Sequence, residues 1–191
     1  MPSLSRNKLA SLVLACATLG GLVLGGAASA ETTTSSGGAV FVPPPPPPKK
    51  AKIVDGRALA PYSAPARVKH VIEAANRLVE KPYRYGGGHR PFGRRLDRGY
   101  DCSGAVSYAL YGGRFLGSPL PSTALMRWAR RGTGRWITVY SSPSHAYVVV
   151  AGLRFDTSLH DPDAPGPATG PRWSKTLRRS STFVARHPRG Y

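Results

Sequence analysis

The sequence contains little cysteine and few acidic residues. Only 2 of its 191 residues are Cys, and 9 Asp and Glu stand against 27 Lys and Arg, which gives a formal charge of +18. A chain of this length fits one ordinary domain, which excludes a large multidomain machine. No spacing of Cys, His and Asp indicates a zinc site, and no motif that would cradle a phosphate is present. We therefore expect no metal and no cofactor.

The first 30 residues have the pattern of a signal peptide. Two basic residues precede an uncharged apolar run, and the Ala-Ser-Ala at residues 28–30 matches the small-x-small cleavage pattern. Cleavage there would remove Cys16 and two positive charges, leaving a mature charge of +16 and Cys102 as the lone cysteine. The pattern predicts a secreted or cell-envelope protein with no membrane span in the mature chain. The alternative is an uncleaved anchor helix, because the apolar run approaches the length of a bilayer span.

Residues 31–61 are predicted to be a disordered, proline-rich linker. Their first part is rich in Thr, Ser and Gly, and six consecutive prolines at residues 43–48 favour a stiff polyproline II rod. The folded domain is then expected over residues 62–191, which is enough chain for one core.

Within this domain, helical periodicity comes first and short strands follow. The spacing of apolar residues predicts helices over residues 68–79, from 101 to the glycine pair at 112–113, and over 122–130. Runs rich in Val, Ile, Tyr and Thr predict antiparallel strands over residues 136–140, 146–151, 153–157 and 183–186. Residues 161–173 are rich in Pro and Gly and are predicted to be a surface loop. This order of elements indicates an α+β domain.

Cys102 lies at the predicted start of the second helix, within Asp101-Cys102-Ser103-Gly104. The positive end of the helix dipole and the free N–H groups there favour thiolate over thiol, and the thiolate is the nucleophile. The same N–H groups can stabilise an oxyanion formed when the sulfur attacks a carbonyl. Asp101 suits the helix cap rather than the chemistry.

A thiolate enzyme also needs a base and a group that orients the base. His145 opens one predicted strand and Asp156 ends the next. If these strands pair through a turn at residues 151–152, residue 145 lies opposite 157 or 158, within reach of Asp156. A single strand His or turn Asp is more often structural, but Cys102, His145 and Asp156 together form a stronger signal.

Two motifs before and at this helix start carry a resemblance. Pro-Tyr-Arg-Tyr-Gly-Gly at residues 82–87 and Gly-Tyr-Asp-Cys-Ser-Gly at 99–104 resemble the signature of the NlpC/P60 family of cell-wall cysteine peptidases. The resemblance covers roughly residues 68–158 and implies a papain-like α+β fold. It implies Cys102 as nucleophile and His145 as base. Enzymes of this family cut peptidoglycan stem peptides, often between D-glutamate and a diamino acid.

The resemblance also implies Tyr83 as a substrate-binding aromatic residue. Ser103 either helps to shape the substrate pocket or belongs to the helix start alone. The third catalytic position departs from the family, in which it is commonly His, Asn or Gln. Spacing favours Asp156 here, with His160 as the competitor. His89, which follows three glycines, is expected to be a solvated loop residue rather than a metal ligand or cleft residue.

The positive charge suits a polyanionic partner. An exported chain with scattered basic residues is not expected to bind nucleic acid, which leaves teichoic-type polymers, acidic wall glycans or anionic lipid headgroups. Solubility alone explains the charge equally well.

The sequence as a whole predicts an exported cysteine hydrolase that binds peptidoglycan and cleaves its stem peptides through a Cys-His-Asp site. One alternative is an N-acetylmuramoyl-L-alanine amidase that uses the same residues. Another is a non-catalytic, basic cell-wall-binding module.

Overall fold

The computed structural model describes residues 50–93, 95–159, 169–178 and 181–191. The expected signal peptide, residues 31–49 of the expected linker, and His160 lie outside the described residues, as do residues 161–168 of the predicted loop. Within the described ranges, no helix has both the length and the apolar character needed to cross a bilayer.

A short hairpin precedes three helices, and the strands of a larger sheet follow. The described residues form β1 (Lys52–Val54), β2 (Arg57–Leu59), α1 (Ala66–Asn76), α2 (Cys102–Gly112), α3 (Ser122–Leu125), β3 (Arg130–Arg131), β4 (Ile137–Ser141), β5 (Ala146–Val150), β6 (Leu153–Asp156), β7 (Arg172–Ser174) and β8 (Val184–His187). The domain is therefore α+β, as predicted.

The larger sheet has six antiparallel strands in the order β3-β8-β4-β5-β6-β7, and β1 and β2 form a separate hairpin. One face of the sheet carries alternating apolar side chains and packs against the helices. The side chains on this face, all buried, include Ile137, Val139, Val148, Val150 and Phe155. Helix α2 lies on β5 and β6 and also packs along α1. Because residues 103–110 of α2 are all buried, this helix is the centre of the core.

A tight turn joins β5 to β6. Val150 pairs with Leu153, and the two residues between them, Ala151 and Gly152, have φ of 47° and 82°. Positive φ at both positions is the type I′ geometry that matches the twist of a two-residue hairpin. Continued outward, this register places residue 145 opposite residue 158, as the sequence predicted.

The predicted linker is wrong at its C-terminal end, because residues 52–59 form the β1–β2 hairpin. The Ala51 N–H donates to the Ala151 carbonyl at 2.8 Å, which anchors the hairpin to the β5–β6 turn. Asn76, the last residue of α1, bonds both backbone groups of Ala58. The first strand thus begins ten residues earlier than the predicted domain, at residue 52 rather than 62.

Two other predicted boundaries are corrected by the structure. Helix α3 ends at Leu125 rather than at residue 130, because Ala129 has φ of 49°, a left-handed conformation that does not continue a helix. Residues 130 and 131 instead pair with β8. The last residues of the predicted loop, Arg172 and Trp173, belong to β7, where Trp173 packs on Phe155 with ring centroids 4.9 Å apart.

We expect Asn76→Ala to destabilise the domain by about 2–3 kcal/mol, at about 1 kcal/mol for each of three hydrogen bonds lost. The Asn76 amide accepts from Ala58 N and Trp173 Nε1, both at 2.9 Å, and donates to Ala58 O at 2.8 Å. Urea unfolding measures the change. Glu73→Ala, on the exposed face of the same helix, is the control and should change stability by about 0.5 kcal/mol or less. Equal effects of the two substitutions would contradict this role of Asn76.

Candidate active site

Asp101 fastens the start of α2 to the glycine loop at residues 86–88. Its Oδ1 accepts from the Gly104 N–H at 2.7 Å, and its Oδ2 accepts from the Gly86 N–H at 3.1 Å. Its own N–H donates to the Gly87 carbonyl at 3.1 Å. The expected capping role of Asp101 is confirmed, and Cys102, the next residue, is the first of the helix.

The glycine loop lies directly against the first turn of this helix. A Cβ atom added to Gly104 would collide with the Gly87 carbonyl, so only glycine permits this approach. Gly88 has φ of +84°, which other residues rarely adopt. Close packing on both sides therefore fixes the backbone that carries Cys102.

The first turn of α2 also provides unused hydrogen-bond donors. Gly104 N–H bonds to the Asp101 carboxylate, and Ala105 N–H bonds to the Asp101 carbonyl at 3.0 Å. The described part of the chain offers no acceptor to the N–H groups of Cys102 and Ser103. Free N–H groups beside a nucleophile are the usual components of an oxyanion hole.

His145 and Asp156 meet across the β5–β6 hairpin. His145 Nε2 lies 2.8 Å from Asp156 Oδ1, and the Asp156 carboxylate is fully buried. The turn before β5 fixes the backbone of His145, whose carbonyl accepts from the Ser142 N–H at 2.8 Å. With Nε2 engaged by the carboxylate, Nδ1 is the ring nitrogen left for Cys102.

Both members of this pair have shifted pKa values. Burial lowers the pKa of His145, but hydrogen bonds with Asp156 and Cys102, together with the charges of both, outweigh burial and raise it to about 9. Burial raises the pKa of Asp156, but hydrogen bonds from His145 and Ser158 and the charge of His145 hold it below its ordinary value. At pH 7 His145 therefore carries a proton, and an imidazolium stabilises a neighbouring thiolate.

Arginines surround the far side of the Asp156 carboxylate. Oδ2 lies 3.6 Å from Arg154 Nε and 3.7 Å from Arg178 Nη1, too far for hydrogen bonds but close enough for attraction. Arg172 is the cross-strand partner of Asp156, and its Nε and Nη1 are buried without a hydrogen bond within the described ranges. Positive charge on this side favours the ionised carboxylate.

Tyr83 and Ser103 both lie near Cys102, but Tyr83 is exposed and Ser103 is buried. Burial and the charges of Cys102, Asp101 and Tyr85 raise the pKa of Tyr83, which as a residue is 42 % exposed. Tyr83 is therefore a neighbour of Cys102 that remains open to solvent. Ser103 is 5 % exposed, and its hydroxyl donates to Asp101 Oδ1 at 3.2 Å, which supports the helix-start role. Substrate binding by either residue stays a prediction.

His89 is not the solvated loop residue that the sequence predicted. Its Nε2 lies 3.0 Å from both carboxylate oxygens of Asp101 and 3.3 Å from Ser103 Oγ. Sequence reasoning missed this contact because three glycines precede His89 and give no periodicity. The one available signal was the capping carboxylate of Asp101, which has more acceptor sites than one N–H can fill.

His145 and Asp156 are thus in direct contact and Cys102 is near enough to raise the pKa of His145, while His160, the competitor for the third position, lies outside the described residues. Cys102 is a free cysteine. Among the residues that the structure describes, no cluster of three or more His, Cys, Asp or Glu side chains is placed to hold a metal ion. No protein-family model matches the chain, and no curated protein matches it.

We expect Asp156→Asn to lower the pKa of His145 from about 9 toward its ordinary value of 6.5. The substitution removes a negative charge beside the ring, while burial continues to disfavour the imidazolium. An NMR titration of the His145 ring protons measures the change. Asp55→Asn removes the same charge at an exposed turn residue and should leave His145 unaffected. An unchanged value in Asp156→Asn would show that the pair does not set the charge of His145.

Proposed function

We propose that this protein is an exported cysteine hydrolase of peptidoglycan stem peptides, with a papain-like fold of the NlpC/P60 type. The observation that carries this proposal is the combination of three groups. Cys102 is a free thiol at a helix start, its presence raises the pKa of the His145 imidazole, and the buried carboxylate of Asp156 lies 2.8 Å from that imidazole. Nucleophile, base and orienting group in this order are the parts that covalent acyl transfer requires.

In the first step, the Cys102 sulfur attacks the carbonyl carbon of an amide. The proton that the thiol gave up is held on His145, beside the sulfur. As the carbonyl becomes tetrahedral, negative charge develops on its oxygen, and the free N–H groups of Cys102 and Ser103 are placed to donate to it. Asp156 keeps the imidazole oriented and stabilises its positive charge.

In the second step, His145 donates its proton to the leaving amine, the C–N bond breaks, and a thioester to Cys102 remains. Water then attacks this thioester while His145 takes up a proton from it. The acid is released and the thiolate returns. Because donation to the amine needs the imidazolium, activity should decline as the pH rises through about 9.

The choice of peptidoglycan as substrate rests on the two motifs at residues 82–87 and 99–104 and on the expected signal peptide. The exposed ring of Tyr83 beside Cys102 supports a cleft in which a peptide is bound. The bond that we propose is the one between D-glutamate and the diamino acid. The amidase alternative uses the same three residues and differs only in the bond cut.

We expect iodoacetamide to label Cys102 at pH 7 roughly tenfold faster or more in the folded protein than in His145→Ala, since an ordinary thiol is only about 3 % ionised at that pH. Mass spectrometry of the labelled peptide gives the rate for Cys102 alone. His70→Ala, an exposed histidine on α1, is the matched control and should label like the parent protein. Slow labelling of the parent protein would contradict an ionised Cys102, and with it the proposed hydrolase mechanism.

Purified sacculi provide the test of the substrate. The protein should release soluble fragments from them, and Cys102→Ala should release none, because it lacks the nucleophile. Mass spectrometry of the products should find new amino termini on the diamino acid.

Other products would point elsewhere. A free amino group on the first stem residue, with an intact stem peptide, would indicate the amidase. If both proteins bind the wall and neither releases fragments, the non-catalytic binding module is the correct description.

A further inference from the structure

A concave region lies on the loop between Tyr83 and the start of α2. It has a volume of about 980 Å³, within the range of small-molecule and oligomer sites. Its lining is dominated by arginine and glycine and includes Arg84, Tyr85, Arg90, Arg95, Asp97 and Arg98. We call this region the arginine pocket.

The guanidinium groups of the arginine pocket are available to a ligand. All four arginines are exposed, and the described residues provide none of their side chains with a hydrogen bond or an ion pair. The only carboxylate in the lining, that of Asp97, accepts from the Gly88 N–H at 3.0 Å and so helps to shape the loop. Four unpaired guanidinium groups around one concave surface favour an anion, because each presents a planar fork that fits carboxylate or phosphate oxygens.

The aromatic content of the lining narrows the class of anion. Tyr85 lines the pocket and is 90 % exposed, so its ring can cover one face of a bound sugar. Single-stranded nucleic acid is usually bound along a groove by several aromatic side chains in succession. One exposed tyrosine beside four guanidinium groups on a single concave surface fits a short run of charged sugar units better.

The arginine pocket adjoins the reaction centre. Two of its lining residues, Gly86 and Gly87, hydrogen bond to Asp101, which directly precedes Cys102. A polymer held in the pocket would therefore lie next to the cleft without occupying Cys102 or His145.

We propose that the arginine pocket binds an acidic glycan, a polymer whose sugar units carry carboxylate or phosphate groups. Binding uses the guanidinium groups of Arg84, Arg90, Arg95 and Arg98 and the ring of Tyr85. It needs neither the thiol nor hydrolysis, so it stands even if the hydrolase proposal fails.

The full chain carrying Cys102→Ala is the protein to test, since it cannot cleave a bound polymer. Fluorescence anisotropy with a labelled oligogalacturonate and a labelled phosphorylated mannose oligomer should detect binding of one or both, and show which acidic group is preferred. Uncharged oligomannose should bind more weakly than either. Added salt should weaken binding of the acidic ligands, because the contacts are between exposed charges.

Substitutions locate the site. Arg95→Gln with Arg98→Gln should weaken binding of the acidic glycan about tenfold, the sum of two exposed charge contacts. Arg131→Gln with Arg189→Gln removes the same charge from exposed positions outside the pocket and should change binding by about twofold or less. Tyr85→Ala, which leaves all four arginines in place, should also weaken binding of the acidic oligosaccharides.

Three results would overturn the proposal. One is the absence of binding to both acidic oligomers. Another is an equal loss in the two double variants, which would mean that net charge alone attracts the polymer. The third is tighter binding of a single-stranded DNA oligonucleotide with the same number of charges, which would assign the pocket to nucleic acid.

Discussion

The geometry of this protein depends on one buried carboxylate, that of Asp101. Asp101 is 8 % exposed. Its carboxylate accepts hydrogen bonds from the Gly104 N–H, the Gly86 N–H and the Ser103 hydroxyl, and it also bonds to the His89 ring. An ionised carboxylate removed from water costs several kcal/mol unless its oxygens are satisfied, so all four donors must stay in place. Because they come from the loop and from the helix, loop and helix are held as one unit, and Cys102 lies at their junction.

A second buried carboxylate, that of Asp156, plays a comparable part in the sheet. Its Oδ1 bonds to the His145 ring and accepts from the Ser158 N–H, while its Oδ2 faces Arg154 of β6 at 3.6 Å without a hydrogen bond in the described residues. The helix delivers the sulfur and the sheet delivers the imidazole, so the site exists only where the two layers meet. The packing of α2 on β5 and β6 holds the two carboxylates at fixed positions relative to each other.

Much of this arrangement was predictable from local patterns. The Asp-Cys-Ser-Gly motif after a loop predicted the start of α2, and the two-residue turn at Ala151 and Gly152 fixed which residues face each other across β5 and β6. Strands β1, β2 and β7 were missed. Each is only three residues long, and its conformation depends on packing against distant parts of the chain. The contact between His89 and Asp101 was missed for the same reason, since nothing local marks it.

The hydrogen bond between Ala51 and Ala151 fixes where the N-terminal end of the described domain lies. Strand β5 separates this anchor from His145, and five strand residues rise about 16 Å. Lys50, which precedes the anchored Ala51, therefore lies toward the end of β5 that is remote from His145. A label placed at Lys50 would lie at that end of the strand, away from the His145–Asp156 pair.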